Sequence, residues 1–198
     1  MRIISRLHGE RRRARQGALI VPLVELSSDL VTLRPYRDED APLLCAAAIE
    51  SIESVGRWMP WCHPHYAESD SVAWVEKSQQ AWRSGNEYNF ALFDRASRFA
   101  GGAGLNQFNR DHNLANLGYW VRQSRQGHGI AVSAVRCLAR FGFETLRLTR
   151  IEIIAAADNI ASRRVAQKSG AQFECLARNR LIVGGVPVTA AVYSLIPT

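Results

Sequence analysis

The chain has 198 residues, 47% hydrophobic and 22% charged, with a formal net charge of +7. That length and balance suit one globular domain with a substantial core and exclude a low-complexity or unfolded chain. The positive charge suggests nucleic acid only until it is placed: residues 1–17 hold Arg2, Arg6, Arg11, Arg12, Arg13 and Arg15 against Glu10, which accounts for five of the seven net charges.

Residues 1–22 therefore read as an Arg-rich, flexible extension, and residues 23–198 as the domain. Nucleic-acid binding is expected only through that extension, where it would fall steeply with salt. No apolar run approaches the roughly 18 residues of a membrane span, and no apolar stretch of signal-peptide length follows the basic start. Cytoplasmic location and no membrane contact are the expectation. Cys45, Cys62, Cys137 and Cys175 are far apart and form no Cys-x-x-Cys pair, so neither a disulfide framework nor a zinc site is expected. His63-x-His65 lacks a third ligand at a recognisable spacing, which leaves no metal site.

Taken in order, residues 30–36 read as a strand and 39–52 as a helix rich in alanine and leucine. Residues 69–84 read as a second helix capped by Ser69 or Ser71 and stopped by Gly85-Asn86. Residues 88–94 alternate like a strand, 95–98 turn, and 99–108 return as a strand whose Gly101, Gly102 and Gly104 suggest a bulge or a close approach. After the polar turn 109–113 comes a strand at 115–121. From Ile130 apolar residues recur at 130/131, 134/135, 138 and 141, a helical period. A strand at 151–157, a helix after Asn159 and two strands around Gly184-Gly185 complete a mixed α+β order with no internal repeat.

The helix from Ile130 opens on Gln126-Gly127-His128-Gly129-Ile130-Ala131. The first N–H groups of a helix lack internal partners and carry the positive end of its dipole, so a glycine-rich start invites a phosphate. A P-loop is excluded because neither Lys77 nor Lys168 follows such a loop, and Val132 stands where a dinucleotide fingerprint needs glycine or alanine. Asn159 suits a helix N-cap with Ser162 as third helical residue.

Gln126, Gly129 and Ala131 match the pattern Gln/Arg-x-x-Gly-x-Gly/Ala, which resembles the acyl-CoA signature of the GNAT superfamily of N-acyltransferases. Further segments resemble its Rim-type branch of ribosomal-protein N-terminal acetyltransferases in the same order: Leu33 to Asp40, Arg57-Trp58-Met59-Pro60-Trp61, Leu117-Gly118-Tyr119-Trp120-Val121, Asn159 to Gly170, and Val192-Tyr193-Ser194-Leu195. The resemblance implies one strongly twisted, mixed, mostly antiparallel sheet with helices on both faces, splayed between the strand ending at Val121 and the strand at 151–157.

It further implies acetyl-CoA, or another acyl-CoA, as co-substrate. Trp120 and Val121 would pair with the pantetheine arm, and Gln126, Gly127, His128, Gly129, Ile130 and Ala131 would take the diphosphate. Any Cβ on Gly129 is expected to push that diphosphate away. Asn159 and Ser162 would lie beside the sulfur, with Ser162 or Tyr193 as proton donor to the departing thiolate. Trp58, Trp61 and His63 would wall the acceptor pocket. Asn116 stands where relatives often carry a glutamate base, which leaves water, Glu53, His63 or His65 to take the amine proton. Thr189 and Ala171 also depart from the family pattern. The expected activity is acetyl transfer to an amine, best a protein N-terminus; a small amine acceptor and a catalytically silent CoA- or RNA-binding module are the alternatives, as monomer or homodimer.

Overall fold

A computed structural model describes residues 21–197, so the six tail arginines lie outside the described residues. The strands are β1 (Leu26–Ser27), β2 (Val31–Pro35), β3 (Tyr88–Asp94), β4 (Phe99–Asn109), β5 (Leu114–Val121), β6 (Arg150–Ala156), β7 (Gln172–Val183) and β8 (Val186–Leu195). They form one sheet in the order β1-β2-β3-β4-β5-β6-β8-β7. Every pairing is antiparallel except β5 with β6. The helices are α1 (Ala41–Glu50), α2 (Ile52–Val55), α3 (Glu68–Ser84), α4 (Ile130–Arg140) and α5 (Ile160–Lys168). The α+β class and the mostly antiparallel sheet expected from the sequence are what the chain adopts.

Strand alternation divides the core in two. Phe90 and Leu92 of β3 join Ala134, Val135 and Leu138 of α4 on one face. Ala91 and Phe93 join Leu44 and Ala47 of α1 and Val75 of α3 on the other. The second face is fixed at its corner by Asp40, fully buried, which takes two 2.7 Å bonds from the Arg34 guanidinium and a 2.8 Å bond from the Arg37 N–H. Trp82, at the end of α3, donates from its indole to the Val21 carbonyl and packs edge-on against Tyr88 and Phe90.

Two local expectations are corrected. The helix at 39–52 is divided into a short 3-10 turn over Asp38–Asp40, then α1, then α2. Ser51 marks the break because its buried hydroxyl donates back to the Ala47 carbonyl and accepts the Gln123 N–H. The helix expected to be capped by Ser69 or Ser71 starts at Glu68, with Ala67 at the cap and Asp70 accepting the Ala67 N–H at 2.8 Å. Ser71 is instead buried and donates to the Tyr66 hydroxyl. Gly85 ends α3 in the left-handed conformation that suits glycine there.

The glycines of β4 behave as expected. Ala100 is the extra residue of a bulge against β3, and a Cβ on Gly101 would lie 2.2 Å from the Trp120 carbonyl oxygen. On the other side of β5, pairing with β6 covers only Leu114 to Asn116 against Arg150 to Glu152. Beyond those three pairs the two strands part, which is the splay the family resemblance implies.

Candidate active site

β5 ends at Val121, and the Arg122 N–H continues the ladder to the bulged Ala100 carbonyl at 2.8 Å. After a 3-10 turn at Gln123–Arg125 the chain reaches Gly127 at φ +79° and Gly129 at φ +78°, and α4 starts at Ile130. Both values lie in the left-handed region, where a side chain costs about 1–2 kcal/mol. A Cβ on Gly129 would stand 3.2 Å from Leu30 Cδ1, so it would point back at the turn between β1 and β2. The left-handed backbone and the Leu30 contact both favour glycine at this position. At Gly127, by contrast, a Cβ would meet nothing within 4 Å.

The neighbouring side chains shape this loop. Gln126 Nε2 donates to the Val121 carbonyl at 3.0 Å and to Ser54 Oγ at 3.3 Å. His128 Nδ1 bonds the Gln126 carbonyl at 2.8 Å. Ile130 is buried and Ala131 half-buried, anchoring the start of the helix behind the exposed loop residues 126–129. The loop is also held from the side: Glu50, at the end of α1, accepts the Arg122 Nε–H at 2.6 Å and the Ser124 N–H at 2.8 Å. Burial raises the Glu50 pKa, but the bonds from Ser124 and Arg122 outweigh it and leave the carboxyl below its usual value.

Across the splay, Asn159 caps α5 by accepting the Ser162 N–H at 3.0 Å, as the sequence suggests. The Tyr119 hydroxyl reaches over from β5, donating to the Ser162 carbonyl at 3.0 Å and lying 2.9 Å from Ser162 Oγ. With its one proton on the carbonyl, Tyr119 accepts from the serine hydroxyl. Burial pushes the Tyr119 phenol up to about 12, against the lowering effect of the Ser162 bond. No motif in the sequence marks Tyr119 for this role. Tyr193, the alternative donor, is fully buried, packs edge-on against Phe173 and accepts the Arg163 Nε–H at 3.2 Å. Its hydroxyl is thereby held to α5 by a cation.

On the α1 and α3 side of β4 and β5 lies a cavity of about 400 Å³. Trp61 and His63 line it; Trp58 does not, and its ring instead lies under the Arg57 guanidinium at 4.8 Å. Trp61 packs edge-on against Trp120 at 5.2 Å and Tyr66 at 5.9 Å. One face of α3 supplies Asp70, Ala73, Trp74 and Lys77, spaced at helical intervals. Asn116 donates at 2.9 Å to Oδ1 of Asn106, which lines the cavity. Burial raises the pKa of the lining phenols Tyr36, Tyr66 and Tyr119, which keeps all three protonated and unsuited to accept a proton. His63 and Asp70 remain as lining groups able to do so, whereas Glu53 and His65 do not line the cavity. No group of three or more metal-binding side chains occurs among the described residues. Among them, too, no helix is long and apolar enough to cross a membrane.

Comparison with known proteins agrees with this geometry. Residues 31–172 match the model of the acetyltransferase (GNAT) domain. A Bacillus subtilis protein named "Putative ribosomal N-acetyltransferase YdaF" is 30% identical over 171 residues, covering 84% of this chain and 91% of its own. A Vibrio cholerae structure described as "a putative ribosomal-protein-serine acetyltransferase" superposes with a TM-score of 0.74 at 28% identity, covering 88% of this chain and 98% of that one. Mycobacterium smegmatis RimJ, solved in complex with CoA-disulfide, shares the fold with a TM-score of 0.80 at 23% identity, covering 91% of this chain and 89% of that one. The chain belongs to the GNAT acetyltransferase family, and its relatives place it in the Rim-type branch.

Proposed function

We propose that this chain transfers an acetyl group from acetyl-CoA to the α-amine of a protein N-terminus, such as that of a ribosomal protein, in the cytoplasm. The observation that carries this reading is a convergence on β5: its open edge toward β6 leads into the left-handed glycine loop at the head of α4, while its other side floors the cavity. The names carried by YdaF and the Vibrio cholerae protein support the acceptor class.

Acetyl-CoA supplies an activated thioester carbonyl. Backbone groups at Trp120 and Val121 hold its pantetheine arm as an added strand. The N–H groups over residues 127–131 take its diphosphate at the positive end of α4, with the side chains of Gln126 and His128 shaping the loop. In the cavity, His63, Asp70 or water removes a proton from the incoming ammonium. An α-amine with pKa about 8 is roughly one-tenth neutral at pH 7, so this step needs little help. The amine nitrogen attacks the carbonyl carbon, and a backbone N–H near Val121 stabilises the oxyanion. As the carbon–sulfur bond breaks, the Ser162 hydroxyl turns its proton from Tyr119 to the departing thiolate, and the protonated Tyr119 phenol turns to donate to Ser162 Oγ in its place.

The test is release of free thiol from acetyl-CoA in the presence of peptides and of small amines. Peptide-dependent thiol release with acetylation of the first residue is expected. Release with no acceptor dependence, or none at all, contradicts the reading.

A further inference from the structure

The cavity floor is made of strand positions that lack side chains. Gly102, Gly104 and Gly118 lie there on β4 and β5. A Cβ on Gly102 would stand 2.5 Å from the Tyr36 hydroxyl and 2.8 Å from Trp120 Nε1, and one on Gly104 would stand 2.4 Å from Asn89 Oδ1. Neither position accepts a side chain unless a wall of the cavity moves. The walls themselves are mostly apolar: Trp61, Trp74 and Trp120 supply aromatic surface, with Leu44 and Met59 beside them. Charge is confined to exposed positions, Asp70 and Lys77 on α3 and His63 on the preceding loop.

A serine or alanine side chain fills little of about 400 Å³. Unfilled apolar space forfeits contacts in proportion to its volume, whereas a large apolar group gains them. The bare glycines let Tyr36, Trp120 and Asn89 lie close against the strands, and the three tryptophans supply apolar wall for such a group to cover, with the charges left at exposed positions.

The geometry points to an acceptor whose reacting amine is attached to a bulky apolar body, of methionyl, phenylalanyl or tryptophanyl size, in preference to a small first residue. This rests on the reading of the cavity as the acceptor site of an acetyltransferase. A peptide N-terminus and an arylalkylamine present the same chemistry, and the assay separates them.

The experiment uses the full chain with acetyl-CoA and peptides that differ only in the first residue: serine, alanine, methionine, phenylalanine or tryptophan. Two further arms use 2-phenylethylamine and tryptamine. For the bulky first residues, kcat/KM is expected roughly 10- to 100-fold above that for serine or alanine, the range set by burying one large apolar side chain. Ala73→Phe, which fills the cavity from α3, is expected to reduce that advantage to about threefold or less, since a filled site loses the burial term. Its unchanged titration with acetyl-CoA confirms a folded protein.

Serine or alanine peptides turned over as well as the bulky ones would overturn the inference, as would a preference that survives Ala73→Phe in protein that still binds acetyl-CoA. Faster turnover of phenylethylamine or tryptamine than of every peptide would uphold the bulky apolar amine and overturn only the protein acceptor. No thiol release with any acceptor would overturn the transferase reading and this inference together.

Discussion

The Ser162 hydroxyl and the Tyr119 phenol lie 2.9 Å apart across the splay of the sheet. Because burial pushes Tyr119 up to about 12, the phenol keeps its proton throughout the neutral range. Ser162→Ala is expected to lower kcat by about 10- to 100-fold with the acetyl-CoA KM within about threefold, the pattern of a group that acts in the transition state. Steady-state kinetics on the purified variant checks this. Asn159→Ala removes only a cap and should cost about 1 kcal/mol in urea unfolding. At the loop, Gly127→Ala forces a side chain into the left-handed region without touching the core, so calorimetry should show acetyl-CoA affinity reduced by about tenfold with Tm lowered by only a few degrees. Ser162 was legible in the Asn-x-x-Ser pattern that opens α5. Tyr119 was not, because strand alternation gives the face of a tyrosine but not the partner it meets across a gap 43 residues away in sequence.

Among the elements, α1 and α2 are joined to the glycine loop before α4 by hydrogen bonds that span more than seventy residues of chain. Glu50 holds Arg122 and Ser124, Ser51 holds Gln123, and Ser54 receives Gln126. The same stretch of chain continues into Met59, Trp61 and His63 of the cavity, so the two halves of the site share one support. Glu50→Ala should raise the acetyl-CoA KM about 5- to 10-fold with little change in kcat, since it loosens binding without touching the reacting atoms. Equal losses in kcat and kcat/KM would show that the clamp acts elsewhere. Periodicity made most elements readable: residues 88–94 and the start of α4 at Ile130 are where the pattern placed them. The division of the first helix at Ser51 was hidden because its cause is the distant Gln123 N–H. The start of α3 was misread for a related reason, as Asp70 competes with the nearby serines to cap it.

For the whole molecule, the sheet must stay closed at one end of β5 and β6 and open at the other. Near the closed end, Arg150 binds Glu174 at 2.7 and 2.5 Å and Glu152 at 2.9 Å, and Ser194 donates to Glu174 at 2.7 Å, tying β6, β7 and β8 together. The Arg150 and Ser194 bonds lower the Glu174 pKa from 4.5 to about 2. A carboxylate depressed on folding stabilises above its unfolded value and loses that contribution as pH falls from 4.5 toward about 2. The pair faces solvent, so the loss should be about 1 kcal/mol or less, seen as a smaller acid-induced Tm drop in Glu174→Gln than in the parent. The splay itself was legible only through family resemblance, since no local pattern says where a parallel pair stops. Titration calorimetry with acetyl-CoA and with acetylpantetheine, which lacks the diphosphate, identifies what enters that splay. Saturable one-site binding of acetyl-CoA, with acetylpantetheine weaker by about 100-fold or more, is the result predicted for a diphosphate held at the head of α4. Equal affinity for the two, or no saturation with either, would contradict it.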